Sequence, residues 1–240
     1  LNNNQNKNFS DNLAHSFLML TKRISKKELL DSVKIEGIER LNTAIKENEK
    51  IIIYSAHIGN WELIPQILSL LTSKRVNIIA RKFGNPLIEN HVIKPFRERF
   101  NVNTVYKENA LLRIIKGINR GEIGGILIDQ NQRNNEGIDV LFFNKIAQTT
   151  PTVSSLQIKY NALVFPMFMI KENNNSFKFI IQDPITFNDS KEDINKQVLE
   201  LTSLQQQSIE NIILEYPDQW LWMHNRWNVK KDLYESCFNY

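Results

Sequence analysis

The chain has 240 residues, 42% of them hydrophobic, so it can bury one large core and we expect a single domain over residues 1–240. A formal charge of +4 suits a partner that carries phosphates or carboxylates, but no dense Lys/Arg stripe interleaved with aromatic residues indicates nucleic acid binding. The single cysteine, Cys237, excludes an internal disulfide and a multi-cysteine zinc site, and no segment of the sequence reaches the roughly 18 apolar residues of a membrane-spanning helix.

The first part of the chain predicts helices behind a polar connector. Residues 1–9 are rich in Asn, Gln and Lys. Apolar residues then recur at helical spacing from position 13 to about position 30, with His15 beside the apolar stripe as a packing or surface residue. The stretch 33–48 mixes charges with spaced apolar residues and predicts a second helix that leads into a strand.

The stretch from residue 51 to residue 62 carries the strongest signal. Three consecutive isoleucines at 51–53 are typical of a strand that is buried on both faces of a helix-covered parallel sheet. A turn at Gly59 follows, with Asn60 as a predicted N-cap and Glu62 in the first helical turn. His57 therefore falls in the loop where the chain leaves the sheet, and the turn allows Glu62 to reach it.

This spacing suggests a general base and the carboxylate that orients it. A neutral imidazole with a pKa of about 6.5 can take a proton from a hydroxyl, and a carboxylate on its other nitrogen fixes the tautomer. On this hypothesis His57 is the base and Glu62 orients it. The alternative is that His57 is an ordinary loop histidine and Glu62 a surface acid at a helix N-terminus.

The next unit predicts a second strand and a possible anion site. A helix over 62–71 tolerates Pro65 in its first turn, and 76–80 reads as a short buried strand. Arg81 follows at the carboxyl end of that strand, where ligands bind in open α/β sheets, although a solvated arginine is the alternative. We expect the charged residues of the following helix on its exposed face: His91, Lys94, Arg97 and Arg99.

The pattern then continues as strand 101–106, helix 110–120 and strand 123–128, which runs into Asp129 and Gln130. About twenty residues with few periodic signals separate Asp129 from Pro151, which favours a functional or mobile connection. Asp129 could hold a polar head group or position Arg81, or it could simply cap a turn.

The C-terminal half completes the predicted fold. Strands 163–170 and 177–181 predict an antiparallel edge hairpin, and apolar residues from 194 to 212 mark a long amphipathic helix. Three of the four tryptophans lie within 220–227, where structural packing is the default role, for His224 as well. The predicted class is α/β, with a central, largely parallel sheet flanked by helices.

The motif Ser-Ala-His-Ile-Gly-Asn-Trp-Glu at 55–62 closely resembles the first motif of the bacterial lipid A late acyltransferases, which carry a His-x4-acid signature. The resemblance continues through 81–86, 129–151, Pro166 and 220–227, so it covers most of the chain. Asn144 stands where the family pattern has a glycine, and asparagine tolerates a positive φ there.

The resemblance implies transfer of a fatty acyl chain from a thioester on acyl carrier protein to a hydroxyl of a lipid A precursor, without a metal or other cofactor. It implies catalytic roles for His57 and Glu62, and substrate binding by Arg81, Asp129, Gln130 and Asn60. Backbone donors near the Gly59 turn, helped by Arg81, would stabilise the oxyanion. Phe142 and Phe143 could line an acyl-chain pocket, or belong to the core.

The family also implies a setting for the protein. It is the cytoplasmic face of the inner membrane, with the membrane surface as a partner and a hydrophobic anchor helix before residue 1. Three alternatives remain. One is a related membrane acyltransferase that acts on another glycolipid or a lysophospholipid, and the second is a non-catalytic lipid-binding module. A metal-dependent hydrolase that uses His57, Glu62 and Asp129 is less favoured, because no second histidine falls at ligand spacing.

Overall fold

Strands and helices alternate along most of the chain in the computed structural model, which describes residues 24–106, 109–132, 136–172, 176–186 and 193–228. Within these ranges seven strands form one sheet, and two more form a separate antiparallel hairpin. The predicted α/β class with a largely parallel sheet is confirmed. None of the helices described is both long and apolar enough to cross a bilayer.

The strands are β1 (Val33–Glu36), β2 (Ile51–Ser55), β3 (Val76–Ala80), β4 (Val102–Tyr106), β5 (Ile123–Leu127), β6 (Ile138–Phe142), β7 (Lys145–Thr149), β8 (Leu163–Lys171) and β9 (Phe177–Ile181). The α-helices are α1 (Lys26–Asp31), α2 (Ile38–Lys46), α3 (Ile64–Thr72), α4 (Pro86–Ile88), α5 (Lys94–Arg97), α6 (Ala110–Asn119), α7 (Thr152–Tyr160) and α8 (Ile194–Glu215). A π-helical turn (Glu89–Ile93) joins α4 to α5, and single 3-10 turns precede α3 (Trp61–Leu63) and β4 (Arg99–Asn101).

The sheet has the strand order β1-β9-β8-β2-β5-β3-β4. All neighbouring pairs are parallel except β8 and β9, which form the predicted antiparallel pair. One further strand, β1, lies outside β9. Strand β5 inserts between β2 and β3, so the loops after β2, β5 and β3 emerge side by side at one edge of the sheet.

Alternate residues of each strand enter two different cores. On one face, Ile52 and Tyr54 pack into a cluster that includes Phe142, Trp220 and residues of α6, α7 and α8. On the other face, Ile51 and Ile53 join residues of α1, α2 and α3. The uninterrupted isoleucines at 51–53 thus reflect burial on both faces, as the sequence predicts.

Two predicted segments differ from the structure. The stretch 33–48 begins with β1 instead of a helix, because Val33 and Ile35 alternate with charged residues and pair in register with Phe177 and Phe179. Gly37, at φ 79°, then turns the chain into α2.

The connection between Asp129 and Pro151 contains the hairpin β6–β7, whose short alternating strands give too weak a sequence signal to be recognised. Phe143 and Asn144 form its turn, with φ values of 50° and 57°, so the expected positive φ at Asn144 is confirmed.

Several predictions fall outside the described residues: the polar connector 1–9, most of the helix over 13–30, His15 and Cys237. In the described part of that segment a separate helix, α1, begins at Lys26 after its N-cap Ser25, so the prediction of one continuous helix to about position 30 is wrong there. The Ser25 hydroxyl accepts from the Glu28 backbone N–H, and the Glu28 carboxylate accepts from the Ser25 backbone N–H, a complete capping box.

Candidate active site

His57 and Asp129 meet because two neighbouring parallel strands end together. Strands β2 and β5 pair in register up to Ser55 and Leu127, and each chain continues two residues further, to His57 and to Asp129. The Ile128 N–H donates to the Ser55 carbonyl at 3.1 Å and extends the pairing past the strand ends. Strand register alone therefore brings an imidazole and a carboxylate together at the ligand-binding edge of the sheet.

Both carboxylate oxygens of Asp129 take part in hydrogen bonds. Oδ1 lies 2.7 Å from His57 Nδ1, and Oδ2 accepts from the His57 backbone N–H and from the Trp220 indole N–H, each at 2.9 Å. The side chain is 3% exposed. Such a carboxylate holds the ring with Nδ1 protonated and leaves Nε2 as the basic nitrogen. These contacts give no support to the predicted role of Asp129 in binding a head group or positioning Arg81, because the buried carboxylate contacts His57 and Trp220 and is not part of the cavity wall.

The electrostatics of the pair follow from this geometry. Burial opposes the imidazolium, but the charge and hydrogen bond of Asp129, helped by the charge of Glu62 and opposed by Arg81, raise the pKa of His57. Burial likewise opposes the carboxylate, yet the hydrogen bonds and charge of His57 and the indole of Trp220 lower the pKa of Asp129 to about 2. Asp129 therefore stays ionised at neutral pH, and His57 holds its proton to a higher pH than a free histidine.

Glu62 has a different partner from the predicted one. The Arg97 guanidinium donates from Nη2 to Glu62 Oε1 at 2.7 Å and from Nε to Oε2 at 3.0 Å, while Nη1 donates to the Arg81 carbonyl at 3.3 Å. The prediction that Glu62 holds the imidazole is wrong, because Asp129 occupies Nδ1. Glu62 instead stands beside His57 on the cavity wall and acts on it through its charge.

Arg97 was expected on an exposed helix face, and that prediction is also wrong. Its side chain is 16% exposed and forms the paired fork described above. Burial works against its charge, but the hydrogen bond and charge of Glu62 raise the pKa of Arg97. The pair fixes both Glu62 and the chain at Arg81, at the end of β3.

The predicted substrate-binding residues separate into two groups. Arg81 and Gln130 line the cavity beside His57, and the Gln130 amide nitrogen lies 3.1 Å from His57 Nε2. Asn60 does not fit the prediction: its side chain is 3% exposed, makes no capping hydrogen bond, and is not part of the cavity wall. A buried side chain cannot contact a substrate in the cavity.

The loop that carries His57 is fixed by its own backbone. Gly59 adopts a φ of 54°, and a Cβ there would lie 2.0 Å from the Met169 carbonyl oxygen, so only glycine fits. The Gly59 N–H donates to the Gln219 carbonyl at 3.0 Å, and the Asn60 N–H donates to the Met169 carbonyl at 2.8 Å. The predicted backbone oxyanion donors at this turn are therefore already paired.

A cavity of about 440 Å³ opens at His57. Its mouth carries polar and charged groups together with the Trp61 indole, whose ring meets the imidazole edge-on with centroids 5.1 Å apart. Its deeper wall is aliphatic and comes from β2, β3, β5 and the start of α3: Ile53, Ile64, Pro65, Ile78, Gly125 and Leu127. This volume and lining are typical of a site for a small or elongated apolar ligand.

The aromatic residues proposed for an acyl pocket lie elsewhere. Phe142 is fully buried on the opposite face of the sheet, against Phe143, Trp220 and Trp227, and neither phenylalanine lines the cavity. The prediction of an acyl pocket at Phe142 and Phe143 is wrong, whereas their alternative role in the core is correct. Paired aromatic residues near a site signal packing at least as strongly as binding.

The C-terminal segment 220–227 contacts the site from the face of the sheet opposite the cavity. Arg226 is fully buried and ties the hairpin to α8: Nη1 donates to the Gln148 carbonyl at 2.8 Å and Nη2 to Gln206 Oε1 at 3.1 Å. Burial lowers the pKa of Arg226 to about 10. His224 is exposed, with its ring centroid 6.0 Å from that of His57, so it stands at the site entrance.

Sequence reasoning missed the pairings His57–Asp129 and Glu62–Arg97, as well as the Trp220 indole donor. A signal for the first existed, because His57 and Asp129 each follow a buried strand by two residues. Using it requires knowing that β5 lies next to β2, which the sequence does not state. Among the residues described, no three His, Cys, Asp or Glu side chains converge as metal ligands.

Comparison with known proteins agrees with these observations. The family model described as "Bacterial lipid A biosynthesis acyltransferase" matches residues 11–229. The chain is 22% identical over 210 residues to a "Lipid A biosynthesis acyltransferase" of Haemophilus influenzae, covering 87% of this chain and 63% of that protein. It is 22% identical over 190 residues to "Lipid A biosynthesis acyltransferase 2" of Shigella flexneri, covering 78% and 58%. The chain thus spans about three fifths of the length of these relatives.

Proposed function

Because this chain belongs to the bacterial lipid A biosynthesis acyltransferase family, we propose that it moves a fatty acyl group from a thioester to a hydroxyl of a lipid A precursor, with His57 as general base. One observation carries the proposal: the imidazole held by a buried carboxylate stands at the mouth of an aliphatic cavity. The cavity takes the acyl chain of the donor, and the ring faces its carbonyl end.

The reaction proceeds by direct transfer. The acceptor hydroxyl gives its proton to His57 Nε2 as its oxygen attacks the thioester carbonyl. The tetrahedral intermediate then collapses, the C–S bond breaks, and the sulfur leaves as a thiolate that takes the proton from the imidazolium. An ester and a free thiol are the products, and Asp129 stabilises the imidazolium that forms between the two steps.

Two arginines have electrostatic roles in the proposed reaction. Since the N–H groups of the Gly59 turn are paired, we assign the oxyanion to the Arg81 guanidinium, which lines the cavity at the end of β3. Arg97 holds the ionised Glu62 carboxylate in place by two hydrogen bonds and fixes the Arg81 backbone through its carbonyl. Glu62 contributes by its charge, which favours the imidazolium.

The proposed partners and location follow from the family. We propose acyl carrier protein as the thioester donor, a lipid A precursor as the acceptor, and the cytoplasmic face of the inner membrane as the place of reaction. A lipid acceptor requires access from a bilayer surface, and Arg81 beside the mouth is suited to its phosphate groups.

Mass spectrometry of the products tests this function. The protein is incubated with an acyl carrier protein thioester and a lipid A precursor, and separately with other glycolipids and a lysophospholipid. His57→Ala should reduce turnover about 10²–10⁴-fold, the usual contribution of a general base. His91→Ala, a change at an exposed histidine, is the matched control.

Each outcome decides a different part of the proposal. Transfer to another acceptor but not to the lipid A precursor would replace the acceptor. Lack of transfer to any acceptor would favour a lipid-binding module, and an unimpaired His57→Ala variant would remove His57 from the mechanism.

A further inference from the structure

The aliphatic wall of the cavity is arranged in rows across three strands. The register pairs Ser55 with Leu127, Ile53 and Ile78 with Gly125, and Val76 with Ile123. Alternation along β2 and β3 adds Ala80 to the upper layer and Ile51 to the lower one, which gives three successive layers below His57. The upper row is Ser55, Leu127 and Ala80, the middle row is Ile53, Gly125 and Ile78, and the lower row is Ile51, Ile123 and Val76. Consecutive rows lie two residues apart along each strand, or roughly 6.6 Å.

The cavity extends through the upper and middle rows and stops at the lower one. All six residues of the first two rows line it, and none of the lower row does. The lower-row side chains are at most 1% exposed and pack in the same core as Ile67 and Leu68 of α3. The middle row is therefore the last layer in which space remains.

Gly125 contributes no side chain to this last open layer. It is buried between Ile53 and Ile78, and a Cβ at position 125 would lie 3.3 Å from Ile53 Cγ1 and from Ile78 Cγ2. The nearest atoms are side-chain carbons, so an added methyl group requires Ile53 and Ile78 to shift by a few tenths of an ångström. Any larger side chain at position 125 would fill the bottom of the cavity.

We propose that Gly125 is the residue that sets how long an acyl chain this protein accepts. The inference rests on the proposed function, since it assumes that the cavity holds the acyl chain of the thioester. The carbonyl carbon lies at His57, the chain runs down between the sheet and α3, and its methyl end stops at the row of Ile53, Gly125 and Ile78.

Chain-length competition tests this assignment. The protein is given an equimolar mixture of saturated acyl carrier protein thioesters whose chains increase in steps of two carbons, and the acylated lipid products are counted by mass. One methylene in a hydrophobic pocket changes discrimination roughly 10- to 200-fold. Gly125→Val should therefore shift the product ratio of shorter to longer chains by at least about tenfold, and Gly125→Ala should shift it less in the same direction.

A variant that is expected to shift the product distribution in the opposite direction distinguishes a change in cavity length from misfolding. Ile78→Ala removes three carbons from the same row and should move the product distribution toward longer chains. Gly124→Ala is the matched control: it adds a methyl group to the neighbouring residue of β5, where the Cβ would lie 2.8 Å from Ile114 Cγ2 on the opposite face. It should lower the melting temperature and leave the chain-length ratio unchanged.

The outcomes separate the two proposals. If the unmodified protein transfers no acyl group from any thioester, the proposed function fails. If it transfers acyl groups but folded Gly125→Ala and Ile78→Ala leave the chain-length ratio unchanged, the function stands and the role of Gly125 is overturned. A shift in Gly124→Ala equal to that in Gly125→Ala would also overturn it, because the effect would not depend on the cavity.

Discussion

The two faces of β2 and β5 differ in how densely they are packed. On one face, Tyr54 packs against a cluster that contains the rings of Phe142 and Trp220, with residues of α6, α7 and α8 around them. On the other face, Ile53 and Gly125 border a cavity. The same strands thus present one densely packed side and one side that borders the cavity.

The packed face supports the side chains of the site, and the other face leaves room for a ligand. Asp129 joins the two sides, because it receives the Trp220 indole N–H from the packed side and holds the imidazole that faces the open side. The packed side therefore fixes the orientation of His57 through Trp220 and Asp129, while the other side leaves the cavity open beside the imidazole.

Asp129→Asn breaks the connection between the two sides and should have the largest effect on activity. An asparagine cannot stabilise the imidazolium, so turnover should fall about 10²–10⁴-fold. Because the charge of Asp129 raises the pKa of His57, its loss lowers that pKa, and the acid limb of the kcat/KM profile should move to lower pH. The profile is measured between about pH 5 and about pH 9.

Asp139→Asn, at an exposed position of β6, provides the control for that experiment and should change neither quantity. A normal turnover or an acid limb that moves to higher pH in Asp129→Asn would contradict the assignment of Asp129 as the partner of His57.

Phe142→Ala tests the packed side. The ring is fully buried among Phe143, Trp220 and Trp227, so its removal should cost about 3–5 kcal/mol in the free energy of unfolding, measured in urea. The acyl chain-length ratio should stay the same, since the ring does not line the cavity. Leu141→Ala, the 60% exposed neighbour, should change stability by less than about 0.5 kcal/mol. A change in the acyl chain-length ratio in Phe142→Ala would place the acyl chain on the packed side of the sheet.

The sequence predicted the long buried strands well, but it did not predict the short strands that depend on their pairing partners. Strand β3 begins and ends at the predicted residues, and β2, β5 and β8 lie within one or two residues of the prediction, because uninterrupted aliphatic runs with flanking turns define buried strands locally. β1 and the β6–β7 hairpin were missed, since four- and five-residue alternating strands give too short a pattern and depend on their partners.

The site shows the same limit. His57 was predicted at the end of β2 from local pattern and motif, and it lies there. Its carboxylate was assigned to Glu62, five residues away, but the structure supplies Asp129, 72 residues away. Strand order decides that contact, and strand order depends on which helices cover which face. Local spacing therefore located His57 at the strand end, whereas its carboxylate partner could be identified only from the fold.

Arg97→Lys tests the mouth of the open side. A lysine keeps the charge but cannot donate to both Glu62 oxygens and the Arg81 carbonyl, so Glu62 and the end of β3 lose their fixed geometry. We expect kcat to fall by up to roughly a hundredfold, the cost that a displacement of about 1 Å can have, with the melting temperature little changed. Arg113→Lys, at an exposed position of α6, is the control. Equal kcat values in the two variants would exclude a positioning role for Arg97.

Trp220→Phe removes one hydrogen bond to Asp129 but keeps the Asp129–His57 pair, and it should have the smallest effect on activity. Asp129 keeps both hydrogen bonds to His57 and loses only the indole donor, so turnover should fall by about tenfold or less, and the free energy of unfolding by about 1.5–3 kcal/mol.

The pH dependence identifies the cause of that loss. Since the indole helps to lower the pKa of Asp129 to about 2, its contribution to stability is present above the ordinary pKa of 3.8 and is lost as the pH falls toward 2. The stability difference between Trp220→Phe and the unmodified protein, measured by urea unfolding at neutral pH and at about pH 3, should therefore be smaller at the lower pH. Trp222→Phe removes an indole that donates to the Pro217 carbonyl, which does not titrate, so its stability difference should be the same at both pH values. Equal pH dependence in the two variants would show that the Trp220 indole stabilises the fold by packing alone and not through its hydrogen bond to the Asp129 carboxylate.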